Sequence, residues 1–564
     1  MEPAIFILGP TALSMAQTVR QTIGGKIHGP AQVAGVDVVY DKVLQAIALA
    51  FQNRQPVIGI CASAILIRAV SPYLHDKLTE AAVVAVAEDG SSVVPLLGGH
   101  HGANKLAVEI ARTVNGHAAI TTASDVVFGE AYDDPASSMT LANPQHVKAA
   151  TAARLRGENV ERIVTIYAVP GNDHQIVYHP ATLAVGIGCE RGTSVEEIDA
   201  LILSTFAAHN LSVKAVAVYA SIDLKEDEPA ISALQNVVYF SAEELNQQTA
   251  RIATPSNYVA DAVGTPSVAE AASLAAAGDK AQLIVPKTKS KRATIAIAEA
   301  PSPILSPAGT RRGKVSVVGI GPGTRMMRSP DVTHELAMAT DWVGYDLYLD
   351  LASDLKFQQT EHRFPLGGEE DRCRHAIELA KQGKCVALVC SGDAGIYAMS
   401  ALVYELIDRE ASRIAVEVYP GISAFQMASA KAGAMIGHDF CCISLSDLLT
   451  PWETIVQRIK AAAEGDFVIS FYNPRSHKRR DQIEKAFAIL KPHRHPDTPV
   501  VLASNLGRPE ECVRILRFDA FNADDVDMLT LVMVGSTQSR AFVRGDGKTY
   551  AYTPRGYARK MDTK

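Results

Sequence analysis

The sequence predicts an α/β fold in several units, on three observations. Short runs rich in Val, Ile and Ala, such as 57–60, 213–218, 385–390, 416–419 and 500–503, alternate with amphipathic stretches of helical length. That alternation is the habit of layered sheets with mostly parallel strands. The chain has 564 residues, 48% hydrophobic and 20% charged, enough to bury several cores; at roughly 150 residues per domain that is about three or four domains. A proline-rich break separates two long α/β stretches.

Composition excludes several function classes. The formal charge of −7 argues against a general nucleic-acid binder, while leaving room for a basic pocket that takes a small anion. Eight cysteines without a Cys-x-x-Cys pair give no ordinary zinc or iron–sulfur signature, and no metal site is expected. Such sparse thiols fit a reducing compartment. The first ten residues lack a basic region and read as a buried strand. The longest apolar run, 57–67, stops at Arg68, short of the roughly 20 residues that cross a membrane. A cytoplasmic protein with no membrane partner is expected.

Along the chain, the first feature is a glycine-rich strand-to-helix turn, 96–104, holding the adjacent pair His100 and His101. They could start a helix, bind metal (without a third ligand at useful spacing) or move protons near neutral pH. A second strand, 118–125, ends in polar residues that could share their pocket. The segment 132–138 is polar and turn-rich, 145–156 reads as a helix, and 183–188 opens a fresh strand. Residues 293–298 alternate like a closing strand, and 300–313, with Pro301, Pro303 and Pro307, read as an extended linker. The expected division is 1–130, 131–180, 181–299, the linker 300–313, and 314–564.

After the linker, Gly319-Ile320-Gly321-Pro322-Gly323 follows a strand. Its spacing is not Gly-x-Gly-x-x-Gly, which argues against a nicotinamide dinucleotide site. Three further strands end in comparable loops: Ser391-Gly392-Asp393-Ala394-Gly395-Ile396-Tyr397, Pro420-Gly421-Ile422-Ser423-Ala424, and Tyr472-Asn473-Pro474-Arg475. Ser423 is either a helix cap or a ligand contact. Open α/β sheets bind ligands outside the carboxyl ends of their strands, so four such loops in series predict a site.

In order and spacing, these loops resemble the tetrapyrrole (corrin/porphyrin) methyltransferase family over roughly 314–554. Together with Gly437–Trp452 and Phe471–Ser476 as written in the sequence, they are similar to its precorrin-3B C17-methyltransferases. The resemblance implies two α/β subdomains with S-adenosylmethionine in the cleft between them, a homodimer, and a polycarboxylate tetrapyrrole substrate with or without cobalt. It implies methyl transfer to C17 coupled to ring contraction. Carried over by motif, Pro322, Gly392, Asp393, Ile396, Ser423, Ala424 and Tyr472 line the cofactor site, with Met533 and Val534, after a strand 529–532, as further members. Ala394 stands where relatives often have proline, which softens the loop. Ring contraction wants an acid or base; His438, Asp439 and Asp447 are candidates by type, with a turn pair and a helix cap as their structural alternatives. Arg475 and Arg479, in the run 475–480, are candidates for substrate carboxylates, the alternative being a solvated face; Arg372 and Arg374 are a second pair.

The first half resembles the cobalt-precorrin-5A hydrolases. Leu97-Gly98-Gly99-His100-His101-Gly102-Ala103-Asn104 and Ile120–Asp125 carry the match, as do the stretches 185–193, 223–229 and 264–270. This resemblance implies an N-terminal hydrolase-like module of two or more subdomains. It also implies opening of a δ-lactone, with His100 or His101 activating water or relaying a proton. The lactone hydrolases belong to the cobalt-early route and precorrin-3B methylation to the cobalt-late one. The fusion therefore leaves open a bifunctional enzyme, a methyltransferase with a silent tetrapyrrole-binding module, and a cobalt-bound substrate.

Overall fold

The structure is a computed structural model, and it describes residues 2–74, 80–99, 102–121, 132–133, 135–136, 138–356, 358–410, 412–476 and 480–557. His100, His101 and Arg479 lie outside the described residues, as do 122–125 of the second strand expected beside the histidines.

The first sheet has seven strands, with Ala4–Ile7 between Lys26–Pro30 and the central Val57–Ile60. All its pairings are parallel except Val83–Val86 with Ser92–Leu97. Ile5 and Ile7 face one apolar cluster, Ala4 and Phe6 another. A strand buried on both faces must be apolar throughout, which is why these strands read as short unbroken runs. A three-stranded sheet follows, Met139–Leu141, Gln175–Pro180 and Glu161–Val164. The expected helix 145–156 is observed as Val147–Leu155 after a single 3₁₀ turn.

The third sheet has five strands, with Leu183–Cys189 between Val216–Ile222 and Ala293–Glu299. Gly186 lies against the helix Val268–Ala277 so closely that a Cβ would stand 1.9 Å from Ala269 O. The strand expected at 213–218 begins only at Val216, because Ser212 caps a 3₁₀ turn over Val213–Ala215. Residues 300–313 are docked rather than free. Ile304 N–H donates to Ala181 O at 2.8 Å, and Thr310 exchanges both backbone hydrogen bonds with Tyr239.

The last two large sheets position the candidate site. One is wholly parallel, in the order Thr360–Phe364, Asp341–Tyr345, Cys385–Cys390, Lys314–Gly319, Ala415–Tyr419. Val315 and Val317 face one core, Val318 and Ile320 the other. The other runs Phe440–Ser444, Val468–Tyr472, Thr530–Val534, Pro499–Ser504, Cys512–Arg517, and only its first pair is parallel. The expectation of mostly parallel strands therefore fails in this sheet. A short turn returns the chain from Pro499–Ser504 into the antiparallel Cys512–Arg517, and Thr530–Val534 then inserts antiparallel between Pro499–Ser504 and Val468–Tyr472. A small three-stranded sheet, Gly433–Ala434, Thr549–Tyr552 and Arg540–Val543, completes the chain.

His28, in the first sheet, packs its ring 4.7 Å from that of Phe6, and its Nε2 is buried without a hydrogen-bond partner among the described residues. Burial, reinforced by Lys26, brings its pKa from 6.5 down to about 4. The folded state then binds fewer protons than the unfolded one between those two values, so stability falls as the pH drops through that window. Denaturant unfolding of the first sheet, followed from pH 7 to 4.5, should show this loss in the native chain and a smaller one in His28→Gln.

Candidate active site

Three loops meet at the carboxyl ends of the adjacent strands Cys385–Cys390, Lys314–Gly319 and Ala415–Tyr419. They meet backbone to backbone. Gly321 and Gly392 exchange both hydrogen bonds, at 3.1 and 2.8 Å. A Cβ on Gly319 would lie 2.6 Å from Gly392 O, and one on Gly421 would lie 2.1 Å from Gly392 O and 2.4 Å from Gly319 O. No side chain fits between them, which is the physical reason for glycine at these positions. On Gly392, at φ +67°, a Cβ would have only Ser423 Cα as a neighbour, at 3.9 Å. That side of the loop is open.

Asp393 ties the loops together. Its Oδ1 accepts the Gly395 N–H at 2.8 Å and its Oδ2 the Gly421 N–H at 3.1 Å. Ala394 is fully buried. Ser423 is the N-cap of the helix Ala424–Ala432 and is 2% exposed, with its N–H donated to Gln426 Oε1 at 2.9 Å. The capping alternative for Ser423 is therefore realised.

The other sheet contributes Tyr472, whose hydroxyl accepts the Phe425 N–H at 3.3 Å. Burial pushes that phenol well above its ordinary pKa, so it stays protonated. Tyr397, left-handed at φ 51°, bridges the sheets: its hydroxyl donates to Cys442 O at 2.8 Å and accepts the Ser444 N–H at 3.2 Å. Its ring centroid stands 5.2 Å from that of Tyr472. Ile396 and Met327, carried by loops of the parallel sheet, pack into a core built mainly from the other sheet, alongside Ala424 and Tyr472. Pro322, Gly392, Asp393, Ile396, Ser423, Ala424 and Tyr472 are thus gathered at one place.

Met533 and Val534 lie inside the strand Thr530–Val534, not after it, and are fully buried. That strand is antiparallel to Val468–Tyr472; Met533, opposite Ser470 at mid-strand, packs in the same apolar cluster as Ile396, Ala424 and Tyr472, whereas Val534, opposite Ile469, faces the core on the other side of the sheet. Other expected members stand apart. His438 and Asp439 precede Phe440–Ser444, at the end of that strand opposite Ser444; they are exposed and form the turn pair, with His438 Nδ1 2.9 Å from the Asp439 N–H. Asp447 caps no helix, because the next helix starts at Trp452 behind Pro451; its Oδ2 accepts from Gln482 Nε2 at 3.2 Å. The Arg475 guanidinium is occupied by Ala523 O at 2.6 Å and Asp524 Oδ1 at 2.9 Å. Arg374 is paired with Glu370 and Glu410.

Sequence reasoning missed Arg508. It follows the strand Pro499–Ser504 in a turn where Asn505 and Gly507 both have positive φ. Its Nε donates to Pro322 O at 3.2 Å and its Nη2 to Ser391 Oγ at 3.0 Å. The only local signal was the Asn-x-Gly-Arg-Pro turn after an apolar run.

In the first half, the three motif stretches come together at one end of the third sheet. Glu228 Oε1 accepts the Gly192 N–H at 2.8 Å, Arg191 pairs with Asp227 at 2.5 Å, and Val268 packs beside Gly188. Glu270 is buried and accepts from the backbone of Ala253, Thr254 and Lys287, bonds that hold its carboxyl below the usual range against the opposing effect of burial. No group of three or more metal-ligating side chains is found among the described residues, and no helix among them is long and apolar enough to cross a membrane.

Three family models match the chain: Cobalamin synthesis G N-terminal over 45–125, Cobalamin synthesis G C-terminus over 183–298, and Tetrapyrrole (Corrin/Porphyrin) Methylases over 314–520. Among curated relatives, a probable cobalt-factor III C(17)-methyltransferase of Salmonella typhimurium is 42% identical over 43% of this chain and 99% of its own length. A precorrin-3B C(17)-methyltransferase of a Sinorhizobium species is 38% identical over 44% of this chain and 98% of its own length. Some longer relatives are matched over only 51% or 46% of their length. Among solved structures, the methyltransferase CobJ is 37% identical, with a TM-score of 0.41, over 43% of this chain and all of that one.

Tyr397→Phe removes the hydroxyl between Cys442 O and the Ser444 N–H, a loss of about 1 kcal/mol of local stability. Hydrogen exchange should detect it as an approximately fivefold faster exchange of the Ser444 amide with the core amides of Val468–Tyr472 unchanged.

Proposed function

The chain belongs to the tetrapyrrole (corrin/porphyrin) methylase family, and from that premise we propose that it methylates C17 of a precorrin-3B-type macrocycle, with ring contraction, in cobalamin biosynthesis. Two C17-methyltransferases, each matched over nearly its whole length, support the reaction. The observation that carries the site is the convergence of the three glycine loops on Asp393, with Tyr472 and Tyr397 closing over them from the second sheet.

The residues fit S-adenosylmethionine. The open side of Gly392 gives a ligand backbone approach, and the buried surface around Ile396, Ala424 and Tyr472 is apolar enough to take a nucleoside. The cofactor, bound in the cleft between the two sheets, supplies a sulfonium-activated methyl group. The chain's task is alignment: Asp393 fixes the loops at Gly395 and Gly421, and the protonated Tyr472 holds the start of the helix Ala424–Ala432 through Phe425. The thiols of Cys390, in the core of the parallel sheet, and Cys442, whose carbonyl Tyr397 holds, are both pushed up to about 11 by burial, so they remain neutral near pH 7.

The division into a hydrolase-like region, 1–299, a docked connector, 300–313, and a methyltransferase, 314–564, is part of this reading. So are assembly as a homodimer through the last of these and residence in the cytoplasm. The two Cobalamin synthesis G matches support a second activity, lactone opening, in the first half, with His100 or His101 moving the proton. They also favour a cobalt-bound macrocycle as the substrate, as does the name of the 42% relative.

The test supplies purified chain and S-adenosylmethionine with precorrin-3B in one tube and its cobalt complex in another. A product heavier by one methyl group is expected, foremost from the cobalt form; no methylation in either tube would sink the reading. Asp393→Ala should weaken S-adenosylmethionine binding roughly 10-fold or more, since both loop anchors go with the carboxylate. Unchanged affinity by calorimetry would remove Asp393 from the site.

A further inference from the structure

Arg508 is a cation without a counter-charge. Among the described residues no carboxylate lies within ion-pair distance of it, whereas Arg328, Arg475, Arg514 and Arg517 are each paired with an aspartate. Both of its partners, Pro322 O and Ser391 Oγ, are neutral, and Nη1 has no partner among the described residues. A guanidinium has five donors in a planar fork, so most of its capacity for a two-oxygen anion is unused.

A second cation without a carboxylate partner among the described residues lies near the same strand end. Arg372 is 3% exposed; its Nη1 lies 3.4 Å from Met399 Sδ, its Nη2 donates to Pro365 O at 3.1 Å, and its Nε is buried with no partner. Tyr348 and the end of the strand at Cys390 lie within the field of Arg372, and Tyr348 within that of Arg508 as well. Two poorly compensated guanidinium groups near one strand end are costly unless an anion neutralises them. The loops that carry Pro322 and Ser391 are those that gather at Asp393, so the vacant donors of Arg508 are carried into the methylase site.

We propose that Arg508 binds a carboxylate in the cleft, with the buried Arg372 as the background charge that strengthens its pull. The inference rests on the methylase reading, which brings carboxylates from two sources: the methionyl end of the cofactor, and the acetate and propionate arms of the macrocycle. Arg508 then has a double role, since its bonds to Pro322 and Ser391 link the second sheet's loop to the first sheet's loops and a bound anion would lock that bridge.

Calorimetry on the full chain with S-adenosylhomocysteine and with 5′-methylthioadenosine, which lacks the methionyl carboxylate, separates the sources. If the cofactor supplies the anion, Arg508→Met weakens S-adenosylhomocysteine roughly 10-fold or more and leaves methylthioadenosine within about twofold. If the substrate supplies it, both nucleosides bind as in the native chain and KM for the tetrapyrrole rises roughly 10-fold with kcat retained. Arg508→Lys, which keeps a point charge, should recover part of whichever loss is seen. Native values for all three ligands in Arg508→Met would overturn the proposal, as would an equal loss of both nucleosides that lysine does not restore, the mark of a structural latch. A native chain that binds neither nucleoside would overturn the methylase reading instead.

Discussion

Gly421 stands so near Gly392 and Gly319 that three backbones occupy the space of one side chain. Much of the site depends on that contact. It brings three strand ends to one point, lets one carboxylate, Asp393, reach two loops, and leaves Gly392 open on its far side. Only glycine permits the approach, and the left-handed φ at Gly321 and Gly392 that shapes the loops carries no penalty there.

The second sheet completes what the first begins. A parallel sheet presents all its carboxyl-end loops on one side, but those loops alone form a shelf, not an enclosure. Tyr397 and Arg508 join the shelf to the other sheet from opposite directions, one reaching out to Cys442 and Ser444, the other reaching in to Pro322 and Ser391. Ile396 and Met327 add apolar contact to the same junction. The two sheets are therefore joined beside the loops by a few polar bridges over an apolar seam.

The first half is tied to the second through the docked connector. Arg312 donates to Arg413 O at 2.9 Å, and Arg413 stands 3.9 Å from Asp227, which Arg191 also holds. Asp227 belongs to one of the three motif stretches at the end of the third sheet. A charge of the hydrolase-like region thus faces the methylase region directly, and the extended connector is docked, because Thr310 and Ile304 pair with backbone on the sheet side.

The sequence by itself determined the layered α/β class and the four loops, because each of these is local: apolar runs and glycines act on their own backbone. The resemblance of those loops to a known family named Pro322, Gly392, Asp393, Ile396, Ser423, Ala424 and Tyr472, and the fold brings them to one place. The tertiary structure decided the rest. Met533 and Val534 were expected together, but an antiparallel strand, whose register no local pattern encodes, puts Met533 in the cluster with Ile396, Ala424 and Tyr472 and turns Val534 to the opposite core. His438 and Asp439 precede the strand Phe440–Ser444, whose parallel pairing sets Ser444, not its start, beside Tyr472, and Arg475 is held by Asp524, 49 residues further along the chain. Arg508 entered because a residue 117 positions from Ser391 meets it only once two sheets face each other. Pairing between distant segments depends on packing of the whole chain, and that information is absent from any one stretch of it.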